Sequence, residues 1–167
     1  SLFLRPEHSE NNRLSNMCGI AGYSGNFNPD LLGLMATSMA HRGPDGHGTW
    51  NDLESGVGLA HRRLAIIDLS DNGKQPMSNG NNTLRLVYNG EIYNYRELRN
   101  SLISRGHMFK SNTDSEVILH LYEEEGTHLL KRIKGIYAFA LWDSNNRSLF
   151  LARDGLGAVS YTHLTLP

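Results

Sequence analysis

The sequence contains a single cysteine, Cys18, which directly follows a methionine, Met17. If Met17 is removed, Cys18 carries both a thiol and a free α-amine. The amine titrates near about 7.7–8.0 and the thiol near about 8.5, so the amine can accept the thiol proton at neutral pH. This is the N-terminal nucleophile arrangement, in which the amine replaces the histidine base of other hydrolases. The alternative is a small buried cysteine without a chemical role. If the preceding residues stay attached, the amine becomes an amide and the base is lost.

An asparagine–glycine pair, Asn89-Gly90, follows a predicted strand over residues 84–88. A side-chain amide and a backbone N–H at a strand end can both point at one oxygen, as an oxyanion hole requires. The same pair is also common in simple turns. The residues therefore indicate an oxyanion hole only if the fold brings them to the cysteine.

Charged side chains near two predicted elements are further candidates for binding. An arginine of the His61-Arg62-Arg63 run could grip a carboxylate through two hydrogen bonds, although a surface basic patch explains the run equally well. Asp114 is predicted in the first turn of a capped helix, where an acidic residue is favoured by the helix dipole alone.

Period and turn residues predict the elements that must position these side chains. A helix is predicted to start at Asn28-Pro29-Asp30 and to bury Leu31, Leu32, Leu34, Met35 and Met39. Further helices are predicted over residues 95–105, after a capping box at 113–116, and over 129–134. Strands are predicted over residues 19–23, 57–60, 64–68, 84–88, 137–142 and 148–152, and a loop over 41–56. Strands in adjacent runs favour an α+β fold with antiparallel sheets.

Composition excludes several classes of protein. The 167 residues suit one domain, and a formal charge of −1 gives no basic surplus for nucleic acid or anionic membranes. No apolar run approaches the roughly 20 residues that span a bilayer, and the first residues do not form a signal peptide, so a cytoplasmic location is expected. One cysteine excludes an internal disulfide and a cysteine-based zinc site. The spacing of His41, His47 and His61 matches no metal signature, so no metal is predicted.

Eight segments in order carry a family resemblance. They are MCGIAG (17–22), HRGPDG (41–46), AHRRLAIIDLS (60–70), GKQPM (73–77), YNGEIYNYRELR (88–99), SNTDSEVI (111–118), GIYAFALWD (135–143) and ARDGLG (152–157). Together they resemble the N-terminal glutaminase domain of glutamine-hydrolysing asparagine synthetases. These are class II glutamine amidotransferases of the N-terminal nucleophile hydrolase superfamily.

The resemblance implies a four-layer αββα sandwich, C-terminally truncated here, and hydrolysis of glutamine to glutamate and ammonia through a thioester on Cys18. It implies that Arg63 binds the glutamine α-carboxylate and that Asn89 and Gly90 form the oxyanion hole. Glu91 and Asp114 are expected to hold polar atoms of the substrate, with Asp114 facing the α-ammonium. The backbone of Leu64, Ala65, Ile66 and Ile67 is expected to line the pocket.

The resemblance also predicts the domain organisation. Residues 17–157 form the amidotransferase domain, residues 1–16 an extension that is either artefactual or a removable propeptide, and residues 158–167 an atypical tail. No SGGxDS-type loop occurs, so the synthetase domain, with its ATP and magnesium, is expected to be absent. The expected partners are L-glutamine and the synthetase domain of the parent protein, for which a homodimer is one option. Two alternatives stay open: a non-catalytic glutamine-binding fragment, and an amidotransferase domain that serves another acceptor.

Overall fold

Two antiparallel sheets form the centre of the computed structural model, which describes residues 2–4, 18–63, 73–154 and 161–165. The first sheet has the order β1-β2-β4-β3 and the second the order β5-β6-β7-β8-β9. The strands of the first sheet are β1 (Leu2–Leu4), β2 (Gly19–Ser24), β3 (Gly46–Asp52) and β4 (Val57–Arg63). Those of the second are β5 (Met77–Ser78), β6 (Leu84–Ile92), β7 (Gly135–Asp143), β8 (Ser148–Arg153) and β9 (Tyr161–Thr165).

Helices cover the outer face of each sheet. Helix α1 (Asp30–Ser38) lies on the first sheet. Helices α2 (Tyr95–Ser104) and α3 (Glu116–Glu125), followed by a 3-10 helix (Gly126–Lys131), lie on the second. The Asn28 side chain accepts the backbone N–H of Asp30 at 3.0 Å, so the predicted start of α1 is confirmed. The layers run helix, sheet, sheet, helix, which confirms the predicted αββα architecture.

The two-residue period of the strands separates the three cores. On β2, Ala21 and Tyr23 face α1, whereas Ile20 packs between the sheets. On β6, Val87 packs between the sheets, whereas Leu86 faces the α2 and α3 side. Side chains two residues from Ile20 or Val87 on the same strand therefore point into the space between the sheets.

Some predicted elements differ from those observed. The loop predicted over residues 41–56 contains β3, an edge strand that pairs along its whole length with β4; its Gly- and polar-rich sequence hides this pairing. Strand β6 continues through Asn89-Gly90 to Ile92, so the pair lies inside a strand. Leu34, predicted on the buried face of α1, is exposed.

The start of α3 also differs from the predicted capping box. The helix begins at Glu116, so Asp114 precedes its first turn. The Glu116 carboxylate accepts the backbone N–H groups of Lys110 and Ser111, both at 2.8 Å, in place of the predicted bond to Thr113. Glu116 sits too early in the helix to close the box, and it anchors the incoming loop instead.

Two predictions concern segments near the sequence ends. Within the predicted extension, β1 pairs with β2, and within the predicted tail, β9 pairs with β8. Met17 and the strand predicted over residues 64–68 lie outside the described residues. In the ranges that the structure covers, every helix is too short or too polar to cross a membrane.

Candidate active site

Cys18 lies immediately before β2, at the entrance to the space between the sheets. It is half-buried, and Ile20, two residues later, belongs to the inter-sheet core. A Cβ on the intervening Gly19 would lie 3.0 Å from the Met39 side chain, so glycine lets the end of α1 pack close beside the cysteine. Strand β2 therefore places the thiol at the edge of the sandwich.

Asn89 supplies a buried hydrogen-bond donor without a partner. Its side chain is 3% exposed, and it shares the inter-sheet side of β6 with Val87. The Nδ2 atom is buried and donates to no acceptor among the described residues. An unpaired buried donor costs about 1–3 kcal/mol. A ligand oxygen that accepts from Nδ2 would recover this free energy.

Gly90 is fixed as glycine by the neighbouring strand. It lies opposite Tyr137 in β7 and has a φ of 155°. A Cβ at this position would lie 2.6 Å from the Tyr137 Cα, closer than any side chain tolerates. Close packing against β7 therefore requires glycine at the position that follows Asn89.

The two arginines at the end of β4 have different surroundings. Arg62 donates from Nε to the Ala36 carbonyl at 2.6 Å and so binds the end of α1. Arg63, one residue later, points to the opposite side of the strand, the side of the inter-sheet core. A Cβ on Gly43 would lie 2.6 Å from the Arg63 nitrogen, and Asp45 donates its backbone N–H to the Arg63 carbonyl at 3.1 Å. The HRGPDG segment thus packs against the backbone of Arg63 and holds it in place.

Asp114 is held under β6 by two hydrogen bonds. Its Oδ2 accepts the Tyr88 hydroxyl at 2.6 Å and the Ile92 backbone N–H at 2.8 Å. Burial raises the pKa of Asp114, and these hydrogen bonds oppose that rise. Burial is the largest cause that raises the pKa of Tyr88, and the negative charges of Asp114, Glu91 and Cys18 raise it further. The Asp114 carboxylate thus contacts the Tyr88 hydroxyl directly, and Glu91 and Cys18, which are far apart along the chain, are both close enough for their charges to act on it.

His61 and Gln75 are positioning residues that sequence reasoning did not assign to the site. His61 is 1% exposed and bonds to the Tyr88 backbone carbonyl across the two sheets. Gln75 Oε1 accepts the Tyr88 N–H at 2.5 Å. The residue before Asn89 is therefore held at both its N–H and its carbonyl. The GKQPM motif contains Gln75, and in the sequence His61 is a candidate only for a metal site.

Burial makes His61 a neutral imidazole at pH 7. It lowers the pKa of His61 to about 4; the bond to Tyr88 opposes this shift and the Arg63 charge adds to it. His61 and His47 lie on opposite faces of the first sheet, because His61 pairs with Gly48 and His47 with Arg62. The two cannot share an ion.

The structure therefore brings most of the predicted site residues to one end of the sandwich. Asp114 accepts a hydrogen bond from the Tyr88 hydroxyl, and the charges of Glu91 and Cys18 act on the same hydroxyl. Asn89 and Gly90 follow Tyr88 on β6, and the charge of Arg63 acts on His61. The predicted pocket residues Leu64, Ala65, Ile66 and Ile67 lie outside the described residues.

The αββα sandwich of two facing antiparallel sheets is the fold of N-terminal nucleophile hydrolases. The family model described as a glutamine amidotransferase domain matches residues 17–164. The chain belongs to this family. This match and the curated relatives, which are asparagine synthetases, confirm the resemblance to the glutaminase domain of that family.

Curated relatives are asparagine synthetases named as glutamine-hydrolysing. Asparagine synthetase 2 of Bacillus subtilis is 43% identical over 157 residues, 89% of this chain and 20% of the relative. The enzyme of Sandersonia aurantiaca is 43% identical over 146 residues, 84% of this chain and 27% of the relative. The chain thus spans about a fifth to a quarter of the length of these relatives.

A solved structure shows the same fold. Glutamine phosphoribosylpyrophosphate amidotransferase from B. subtilis, complexed with ADP and GMP, superposes with a TM-score of 0.65 at 21% identity. The match covers 88% of this chain and 41% of that chain.

Proposed function

We propose that this chain hydrolyses the side-chain amide of L-glutamine to glutamate and ammonia through a thioester on Cys18. The observation that carries the proposal is the unpartnered, buried Nδ2 of Asn89, on the strand that faces the cysteine strand. Membership of the glutamine amidotransferase family supports the same substrate.

The reaction needs only groups of the protein and water. The α-amine of Cys18 takes the thiol proton, and the thiolate attacks the amide carbon. The negative charge moves to the amide oxygen, which accepts hydrogen bonds from Asn89 Nδ2 and the Gly90 N–H. The C–N bond then breaks, the amine returns its proton to the leaving nitrogen, and ammonia departs. Water, deprotonated by the amine, cleaves the thioester to glutamate and restores the thiol.

Substrate recognition follows from charge. Arg63 is proposed to bind the glutamine α-carboxylate, and Asp114, assisted by Glu91, the α-ammonium. The Asp114 carboxylate is already oriented by Tyr88 and Ile92, which spares the substrate the cost of ordering it. The backbone of residues 64–67 is proposed to line this pocket.

The whole-protein context is also a proposal. The names of the relatives support a role in which the ammonia serves asparagine synthesis from aspartate in a longer, ATP-dependent protein. ATP and magnesium would belong to its synthetase domain, and the hydrolysis described above uses no cofactor. That domain is the proposed partner of this chain. The whole protein is proposed to be cytoplasmic and to bind neither nucleic acid nor membranes, and a homodimer is one proposed assembly.

Three preparations test the proposal: the present chain, a chain that begins at Cys18, and Cys18→Ala in the latter. Intact mass defines each N-terminus, coupled assay measures ammonia, and calorimetry measures glutamine binding. We expect hydrolysis by the chain that begins at Cys18, and binding without hydrolysis by Cys18→Ala. Hydrolysis by Cys18→Ala at the parent rate would refute the nucleophile. Full activity with residues 1–17 attached would refute the amine as base, and binding without turnover in every preparation would favour a non-catalytic domain.

A further inference from the structure

A group of three metal-ligating side chains lies in the outer helical layer. His107 follows α2, and His120 and Glu123 lie one turn apart on α3. The Nδ1 atoms of His107 and His120 are 3.0 Å apart. The Glu123 Oε2 atom is 3.3 Å from Nδ1 of His120 and 3.8 Å from Nδ1 of His107.

These distances match the ligand spacing of tetrahedral zinc. With metal–ligand bonds of about 2.0–2.2 Å, neighbouring ligand atoms in a tetrahedron stand roughly 3.3–3.5 Å apart. The observed separations of 3.0, 3.3 and 3.8 Å bracket this value. An ion about 2.1 Å from all three atoms would stand about 0.7 Å out of their plane, which is the position of the metal in a tetrahedral site.

Two of the three ligands, His107 and Glu123, are oriented by a second side chain, as ligands of zinc sites commonly are. His107 bonds through Nε2 to Glu124 Oε1 at 2.8 Å, and the other Glu124 oxygen pairs with Arg105. Asn79 donates from Nδ2 to Glu123 Oε1 at 3.0 Å, which leaves Oε2 directed at the histidines. These contacts reduce the ordering cost of binding an ion.

The second ring nitrogen of His120 is free to carry a proton when an ion occupies the first. The Nδ1 atoms of His107 and His120 are 3.0 Å apart, and the buried Nε2 of His120 has no hydrogen-bond partner among the described residues. A bound ion would take both Nδ1 lone pairs and move the His120 proton to Nε2. There it would face the Glu116 carboxylate, whose Oε1 lies 3.7 Å away.

We propose that His107, His120 and Glu123 bind one Zn²⁺, with water as the fourth ligand. Glu123 is exposed and gives the ion its path from solvent. The ion would join the segment after α2 to α3, the helix whose first residue anchors the loop before Asp114. The site is structural and stands independently of the proposed glutamine hydrolysis.

Zinc titration of the metal-free 167-residue chain tests the proposal. The Cys18→Ala background is used because a thiolate also binds zinc. Competition with a chromogenic chelator gives stoichiometry and affinity, and X-ray absorption gives the ligands. We expect one Zn²⁺ per chain, two imidazoles and no sulfur. Co²⁺ should give the intense visible absorption of a tetrahedral N/O site.

Variants separate the site from other histidines. Glu124→Gln should weaken zinc binding about 10- to 100-fold, and His107→Gln or Glu123→Gln by more, because they remove ligands. His128→Gln, an exposed histidine on the neighbouring 3-10 helix, is the matched control and should bind zinc like the parent. Circular dichroism and urea unfolding in chelator establish that each variant is folded. Absence of one-to-one binding, or equal affinity in His107→Gln, Glu123→Gln and the control, would overturn the assignment.

Discussion

Asn89→Ala should separate catalysis from stability. In the proposed reaction Nδ2 donates to the oxygen that becomes negative, and loss of one such donor lowers kcat about 10²- to 10³-fold, or about 2.7–4 kcal/mol. The KM for glutamine should change far less, because the neutral amide oxygen accepts a weaker bond than the oxyanion.

The free energy of unfolding should change little in Asn89→Ala. A buried hydrogen-bonded side chain usually stabilises the fold, but Asn89 Nδ2 has no partner in the described part of the chain. Its removal relieves an unpaired donor that costs about 1–3 kcal/mol, which offsets the packing lost with the side chain. We expect a net change within about 1 kcal/mol.

Asn79→Ala is the matched control. Asn79 is 4% exposed, close to Asn89 at 3%, but it makes three hydrogen bonds of 3.0 Å, to Thr83, Glu123 and the Leu84 N–H. At about 1 kcal/mol for each bond, its loss should cost about 3 kcal/mol of stability with little change in kcat.

Urea unfolding and steady-state ammonia release on both variants, in a chain that begins at Cys18, measure the two effects. The reasoning is refuted if Asn89→Ala keeps kcat within about threefold of the parent, against the 10²-fold minimum for an oxyanion donor. It is equally refuted if Asn89→Ala destabilises the fold as much as Asn79→Ala does.

Three further predictions concern the arginines, His61 and Gly90. Arg63→Ala should raise the KM for glutamine more than it lowers kcat, and an unchanged KM would contradict the proposed binding of the α-carboxylate by Arg63. Arg62→Ala should instead lower the free energy of unfolding by about 1.5–3 kcal/mol, because Arg62 no longer binds the end of α1. The pKa of His61 is about 4 when folded and about 6.5 when unfolded, so protons bind the unfolded state first. Its contribution to stability is complete above about pH 6.5 and falls by about 3 kcal/mol towards pH 4; denaturant unfolding of His61→Gln should lack this decline, and an identical pH profile would contradict it. Gly90→Ala should lower the thermal midpoint because its Cβ would meet the Tyr137 backbone, and a stable variant would show that β7 can move away.

Local sequence determined the elements and the reacting group. The apolar period placed most helices and strands, and the position of Cys18 after Met17 indicated its chemistry without any fold. These predictions depend only on neighbours in sequence, where period, capping and intrinsic acidity act. The assignment of Arg63 and Asp114 to the two ends of a zwitterion came from the family resemblance.

Pairing between distant strands decided what local patterns could not. Strand β3 has little apolar character and forms because β4 lies beside it. Asn89-Gly90 looks like a turn in sequence, but β7 extends the strand through it. The choice of Arg63 over Arg62 came from the resemblance, and its physical reason is the alternation of β4, which commits Arg62 to α1.

The sequence alone thus determined which types of residue could do chemistry: the cysteine, the asparagine–glycine pair and the charged residues. Only the tertiary structure decided that Asp114 binds the Tyr88 hydroxyl, that His61 and Gln75 bond to the Tyr88 backbone, and that His107 meets His120. The physical reason is that a side chain's acidity and shape belong to the residue, whereas burial, hydrogen-bond partners and distances across two sheets arise only when remote segments pack together.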